Sequence, residues 1–270
     1  MKIKLTILFL FFCFCNKLTA QDVVLYTGKK DYIPAKIVLT GGKTIHGHIK
    51  DFTLPKFIQF EGPFSEFKSF EKRLNLDRTK FMFKYSPEGE SLPIHADSIQ
   101  TIILNEDKPV EYEKMKLKTV NNKNKLTDTN LEVFLPLIER GDIDLYGLNV
   151  VDSNEKLITV LAYIKKPDDD FAVIPLDMSN FNIFNAWGVG ERFITAFMEV
   201  TKDCDAYQAL LQEELNKFKR KDKQYIKESE QKFKDYMTEN CGNCNLEQAF
   251  SSYYFSRYKH MIDDYSNMCN

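Results

Sequence analysis

The chain has 270 residues, with 37 basic and 39 acidic side chains and a net charge of −2 at neutral pH. Its hydrophobic content of 43%, including 22 Phe and 13 Tyr, is enough to bury a core and excludes a disordered chain. The near-balance of charge argues against a surface built as a whole for nucleic acid and gives no steering toward an anionic membrane.

At the N-terminus, Lys2 and Lys4 precede an apolar run from Leu5 to Cys15; Asn16 and Lys17 end it, and Ala20 stands before Gln21. This is the pattern of a secretory signal peptide over residues 1–20. The run is too short for a permanent span, which needs about 20 residues. Leu18 lies where a small residue is more usual, so the cut is placed at or near Gln21. Cys13 and Cys15 follow Phe12 and Phe14 rather than the small residues that precede a lipidated cysteine. Both read as part of the removed signal. Cleavage leaves 34 basic against 39 acidic residues, or −5, in about 250 residues. No second stretch approaches transmembrane length. The expected location is therefore periplasmic, cell-surface or secreted.

Residues 21–104 read as a β-rich domain. YIPAKIVLTGGKTIHGHIK at 32–50 has the pattern of a hairpin, with Ile45, Gly47 and Ile49 alternating with His46, His48 and Lys50. The two glycines suit the positive φ of a tight turn. Phe81, Phe83 and Tyr85 share the face of a second strand, Ser86 to Gly89 reads as a turn, and 98–104 is a third strand. Residues 53–75 are aromatic-rich but broken by Pro55, Gly62 and Pro63, which predicts short strands with loops. Residues 105–129, with NNKNK at 121–125, read as a polar linker or long loop.

Residues 130–200 are expected to be mainly β. Leu131 to Arg140 fits a short helix or a strand, and Ile143, Leu145 and Gly147 alternate with Asp142, Asp144 and Tyr146 as in a strand. Residues 157–164 and 171–176 read as a strand pair joined through KKPDDD. From 201 the period changes. Tyr207, Leu211, Leu215, Phe218, Tyr225, Phe233 and Tyr236 form one helical stripe, and Leu246, Phe250, Tyr254, Tyr258, Ile262 and Tyr265 a second. Asn245 followed by Gln248 suits a helix start. The fold class is therefore α+β: a mainly antiparallel β N-terminal two-thirds followed by a helical hairpin over 201–270.

The glycine-centred hairpin LTGGKTIHGHI, the segment VFLPLIERGDIDLYGL and the cysteine-bearing helical tail together resemble a loose group of exported Bacteroidota proteins. They share a β-rich N-terminal part and a G-x-x-x-L-Y strand, here Gly141 to Tyr146. The resemblance covers most of residues 30–265. It implies a cell-envelope or secreted setting and carries over no catalytic residue.

Candidate chemistry is sparse. His46 and His48 are two apart on a strand and share a face. Such a pair can begin a metal site if further ligands converge, but two exposed polar residues opposite Ile45 and Ile49 is the plainer reading. His95 falls in an expected loop. His260, four residues from both Ser256 and Asp264, falls on the second helix. Ordinary solvent-facing use accounts for both. Asp168, Asp169 and Asp170 are contiguous, which suits a charged turn better than the spaced ligands of a calcium loop. Trp187 to Gly190 reads as a loop, serving as an aromatic platform or, more simply, as a buried anchor. No nucleophile elbow, phosphate loop, dinucleotide fingerprint or zinc-peptidase motif is present. No catalytic, cofactor or metal residue is assigned.

Four cysteines survive cleavage: Cys204, Cys241, Cys244 and Cys269. Export favours two disulfides over a thioredoxin-like redox pair, which should follow a strand, or a zinc site. In an antiparallel hairpin Cys204 meets Cys269, and Cys241 meets Cys244 at the turn. Helix lengths of roughly 50 Å and 34 Å allow this only if the first stretch breaks, around Asn216 to Asp222. If it folds back differently, Cys204 reaches Cys241 or Cys244 and the other pairs with Cys269. The expected function is a non-enzymatic binding or structural module of the cell envelope or extracellular space, with a protein or glycan partner. The alternative is a hydrolase of envelope material with its site scattered over loops.

Overall fold

In a computed structural model of the protein the described residues are 21–27, 32–50, 55–61, 76–104, 109–121, 123–151, 157–175, 189–219, 223–240 and 246–269. The signal segment, Trp187, and Cys241 to Asn245 lie outside them. The fold is α+β, a β-rich N-terminal two-thirds followed by a helical region.

Strands β1 (Gln21–Thr27) and β4 (Pro55–Glu61) pair antiparallel as a separate ribbon. The remaining strands are β2 (Ile33–Leu39), β3 (Thr44–Lys50), β5 (Lys80–Lys84), β6 (Leu92–His95), β7 (Ile99–Leu104), β8 (Val110–Val120), β9 (Leu126–Glu139), β10 (Asp144–Val151), β11 (Leu157–Lys165) and β12 (Phe171–Ile174). They form one ten-stranded sheet in the order β12-β11-β10-β9-β8-β7-β2-β3-β5-β6.

The first half curls because its chain connections force it to. β6 and β7 stand at opposite ends of the row β6-β5-β3-β2-β7, yet only the 3-10 turn Ala96–Ser98 joins them. That turn is stitched to both neighbours: the Ala96 amide donates to the Thr79 carbonyl, and the Thr40 amide donates to the Ser98 carbonyl. The enclosed core holds Ala35, Ile37, Ile45, Ile49, Phe81, Phe83, Ile99, Ile102 and Leu104. Gly42 makes the β2–β3 turn at φ +77°, a conformation that favours glycine.

The second half closes on itself. Strands β8 to β12 form an antiparallel meander, and β12 also pairs with β8. Five strands that alternate in direction leave the first and last pointing the same way, so the closing pair is parallel, with Phe171 opposite Lys116 and Ile174 opposite Thr119. Closure removes the free edges of that meander.

Four helices are described: α1 (Val189–Val200), α2 (Asp205–Lys219), α3 (Lys223–Asn240) and α4 (Leu246–Cys269). Phe193, Ile194, Ala196, Phe197 and Val200 of α1, Tyr207, Leu211 and Leu215 of α2, and Tyr258 and Tyr265 of α4 pack with Ile143, Leu145, Ile164 and Val173 of the barrel region. Phe193 meets the Tyr258 ring edge-on at 4.8 Å, and Tyr207 meets Tyr265 at 5.5 Å. The Gln208 amide caps α1 by donating to the carbonyls of Met198 and Thr201. Cys204 at the start of α2 is disulfide-bonded to Cys269 at the end of α4. Among the described residues no helix is long and apolar enough to cross a membrane.

Three expectations need correction, and one open alternative is decided. Residues 105–129, read as a linker, carry β8 and the start of β9, with NNKNK as their connecting turn. The polar residues there line outward positions of paired strands, where charge is tolerated. Leu131 to Glu139, open between helix and strand, is strand. The expected β region 130–200 ends in a helix from Val189, which takes in Gly190. Finally, β10 does not alternate between buried and exposed: Asp144 and Tyr146 are as buried as Leu145, because a central strand covered on both sides hides both sets of side chains. The first helical stretch is indeed two helices, with the break falling between Lys219 and Lys223.

Candidate binding face

Strand register decides which side chains share the outer surface of the first curled row. Opposite partners in an antiparallel pair lie on one face. Lys36 stands opposite His46, Pro34 opposite His48, His48 opposite Lys84, Lys50 opposite Met82, and Lys80 opposite His95. The intervening residues Ile37, Ile49 and Phe83 point inward and are almost wholly buried. The outer face therefore carries Lys36, Lys50, Lys80 and Lys84 with His46, His48 and His95, three of the chain's four histidines. Among the described residues no carboxylate occupies a position of this face on β2, β3, β5 or β6, and none of the four lysines makes an ion pair.

Gly47 makes this face possible. A Cβ at that position would lie 2.1 Å from the Lys84 carbonyl oxygen and 2.5 Å from the Phe83 ring. Only glycine lets β3 and β5 approach so closely. Tyr32 lies beside them, with Lys84 Nζ 4.7 Å and Lys50 Nζ 5.5 Å from its ring centroid. Its hydroxyl is hydrogen-bonded to Ser91 Oγ at 2.5 Å. Both cations thus lie within cation–π range of the ring, a favourable arrangement, and its polar end is tied down. His48 Nδ1 is buried without a hydrogen-bond partner.

The neighbouring surface is organised differently. On β8, Lys114 pairs with Asp97 at 2.8 Å and Glu132 at 2.9 Å, and Lys116 pairs with Asp170 at 2.8 Å. Burial opposes the Lys114 charge, but those two carboxylates outweigh it and raise its pKa. Arg140 bonds Glu113 at 2.6 Å and Glu111 at 3.0 Å, and stands 3.6 Å from Asp144. The Glu113 hydrogen bond raises the Arg140 pKa further above its ordinary value. The Tyr146 hydroxyl donates to Glu113 at 2.6 Å and lies 3.3 Å from Asp144, whose other oxygen accepts the Gly141 amide. Burial, then Glu113, pushes the Tyr146 phenol up. Here carboxylates, guanidinium and phenol satisfy one another, so this cluster holds β8, β9 and β10 together.

The structure thus brings His46 and His48 onto one face. His95 ends strand β6 instead of lying in a loop. His260 is exposed on α4, 3.5 Å from Asp264, while Ser256 bonds the Tyr253 carbonyl. Asp168 to Asp170 form the β11–β12 turn, with Asp170 committed to Lys116. Among the described residues no group of three or more His, Cys, Asp or Glu is placed to hold a metal ion. The chain matches no protein-family model, and neither a curated protein nor a solved structure matches it. Sequence reasoning placed Lys50 beside His46 and His48 but passed over Lys36, Lys80, Lys84 and Tyr32. Their signal was the alternation of Lys80, Met82 and Lys84 with Phe81 and Phe83, but register across strands was needed to assemble them.

Proposed function

We propose that this is an exported protein of the cell envelope or extracellular space that acts as a binding module, taking its partner on the outer face of β2, β3, β5 and β6. The observation that carries the reading is that face: four lysines and three imidazoles on adjoining strands, the lysines making no ion pair among the described residues. The Cys204–Cys269 bond supports export, because disulfides persist in oxidising compartments. A second bond, Cys241–Cys244, belongs to the same proposal. The N-terminal charge-apolar-small pattern supports it independently.

The test has two parts. Intact mass of protein from the native host should show a chain beginning at or near Gln21; a cytoplasmic species retaining Met1 overturns the export reading. Mature protein mixed with isolated envelopes should co-sediment with them in a saturable way and release no soluble fragments. Steady fragment release by catalytic amounts of protein would overturn the binding reading in favour of a hydrolase.

A further inference from the structure

We propose that the basic face of β2, β3, β5 and β6 binds an acidic polysaccharide, a sugar chain with repeated carboxylate or sulfate groups. The inference rests on the reading of the protein as an exported binding module and adds the chemistry of the ligand.

The argument begins with spacing. Neighbouring strands lie about 4.8 Å apart and alternate residues on one strand about 6.7 Å apart. Lys36, Lys50, Lys80 and Lys84 therefore form a spread lattice of cations rather than one pocket. A single small anion would engage one or two of them. An extended polyanion engages the set.

The type of cation narrows the ligand. Among the described residues the face bears lysine and histidine but no arginine. The arginine fork suits bidentate recognition of phosphate, whereas lysine acts as a mobile point charge. Separate monoanionic groups on a flexible chain match point charges. Among the cations lie Pro34, Met82 and the Tyr32 ring, an apolar floor that suits the C–H faces of sugars. The exposed imidazoles of His46 and His95 add hydrogen-bonding groups for hydroxyls.

A lipid surface fits less well. An anionic bilayer would be met best by large protruding apolar anchors beside the cations, and neither Met82 nor Tyr32 of the floor is an exposed side chain. Leu92, 41% exposed, stands opposite Phe83 and so has the inward register. It does not share the face of the lysines. Beyond β7 the same surface carries Glu111 and Glu113, both engaged by Arg140, so the row of unpaired cations ends at Lys36.

The test uses the mature, disulfide-bonded chain and polygalacturonate, with its neutral methyl ester as the matched polymer, in a titration calorimeter at low salt. Binding is expected to the acid and not to the ester, and added salt should weaken it. Replacing Lys36, Lys50, Lys80 and Lys84 by Gln should weaken binding about tenfold or more. Replacing Lys123, Lys125, Lys227 and Lys232 by Gln, which changes net charge equally, should leave it within about twofold. A variant with Arg at the four face positions keeps the charge and should still bind, which separates lost charge from lost fold. Equal binding to acid and ester, equal loss in the two Gln variants, or tighter binding to phosphatidylglycerol vesicles overturns the inference. If the native envelope is still bound while the acidic polymer is not, the ligand class fails and the binding module stands. A cytoplasmic, uncleaved chain removes both.

Discussion

Cutting the Cys204–Cys269 bond should strongly destabilise the helical region. The two residues are 65 apart in sequence. In the chain-entropy model, closing a loop of that length restricts the unfolded chain by about 4 kcal/mol. The double substitution Cys204→Ser with Cys269→Ser removes that restriction and alters neither Cys241 nor Cys244. For a chain of this size roughly 1 kcal/mol moves the midpoint by about 2–4 °C, so the expected fall is about 8–16 °C. The native ends stay close without the bond. The Tyr207 hydroxyl donates to the Met261 carbonyl at 2.7 Å, and Tyr265 donates to Asp203 at 2.8 Å. The variant should therefore fold, with its helices unchanged in far-UV circular dichroism, and melt earlier. A midpoint within about 2 °C of the wild type would refute the entropic argument. Alkylation of both thiols in native, unreduced protein would refute the bond itself.

Gly47→Ala should force β3 from β5 and destabilise by about 1–3 kcal/mol through overpacking, read from urea unfolding; an unchanged midpoint would mean the strands can separate without loss. Tyr146→Phe leaves Asp144 and Glu113 short of a donor and should cost about 1–3 kcal/mol in the same assay, whereas neutrality would show that Arg140 alone suffices. For Asp203, burial works against the charged form, but hydrogen bonds from Lys166 and Tyr265 outweigh it and lower the carboxyl pKa. Its contribution is therefore complete above the unfolded carboxylate value of about 3.9 and is lost as pH falls below that through the lowered folded value. Asp203→Asn should weaken the protein at neutral pH and flatten its acid-range stability profile; an unaltered slope there would remove Asp203 from the account.

How much of this was legible depended on whether the information was local. The alternation in TIHGHIK and the glycine turn before it lie within one hairpin, and both were readable. So was the helical stripe from Tyr207, including the need for a break before Lys223. The Cys204–Cys269 pairing was favoured by the geometry of an antiparallel hairpin, while the unequal helix lengths left Cys241 and Cys244 open as partners of either. Strand β8 was missed because its lysines and glutamates look like a linker until their partners on other strands are known. The two-sided burial of β10 was missed for a related reason: Asp144 reads as an exposed residue unless Arg140, Tyr146 and the Gly141 amide are seen around it. Helix α1 was missed although Phe193, Phe197 and Val200 recur at helical spacing, because the preceding strands biased the reading toward β. The basic face was half-legible. Each strand showed its own alternation, but which strands adjoin is a property of topology.

Strand β8 gives one edge to two partners, its first residues to β7 and its later ones to β12. That double use imposes a schedule on a chain delivered from its N-terminus. The curled row of β2, β3, β5, β6 and β7 can be completed once residue 104 has emerged, from contacts made within its own stretch. The meander cannot shut until Phe171 reaches Lys116, and non-local closures of that kind are slow. Until then the later half of β8 offers unpaired amides and carbonyls to any neighbouring strand. The Cys204–Cys269 bond must wait longer still, for α4 to follow. The interval between the emergence of β8 and that of β12 is thus the one in which this edge is open to pairing with another copy of the chain.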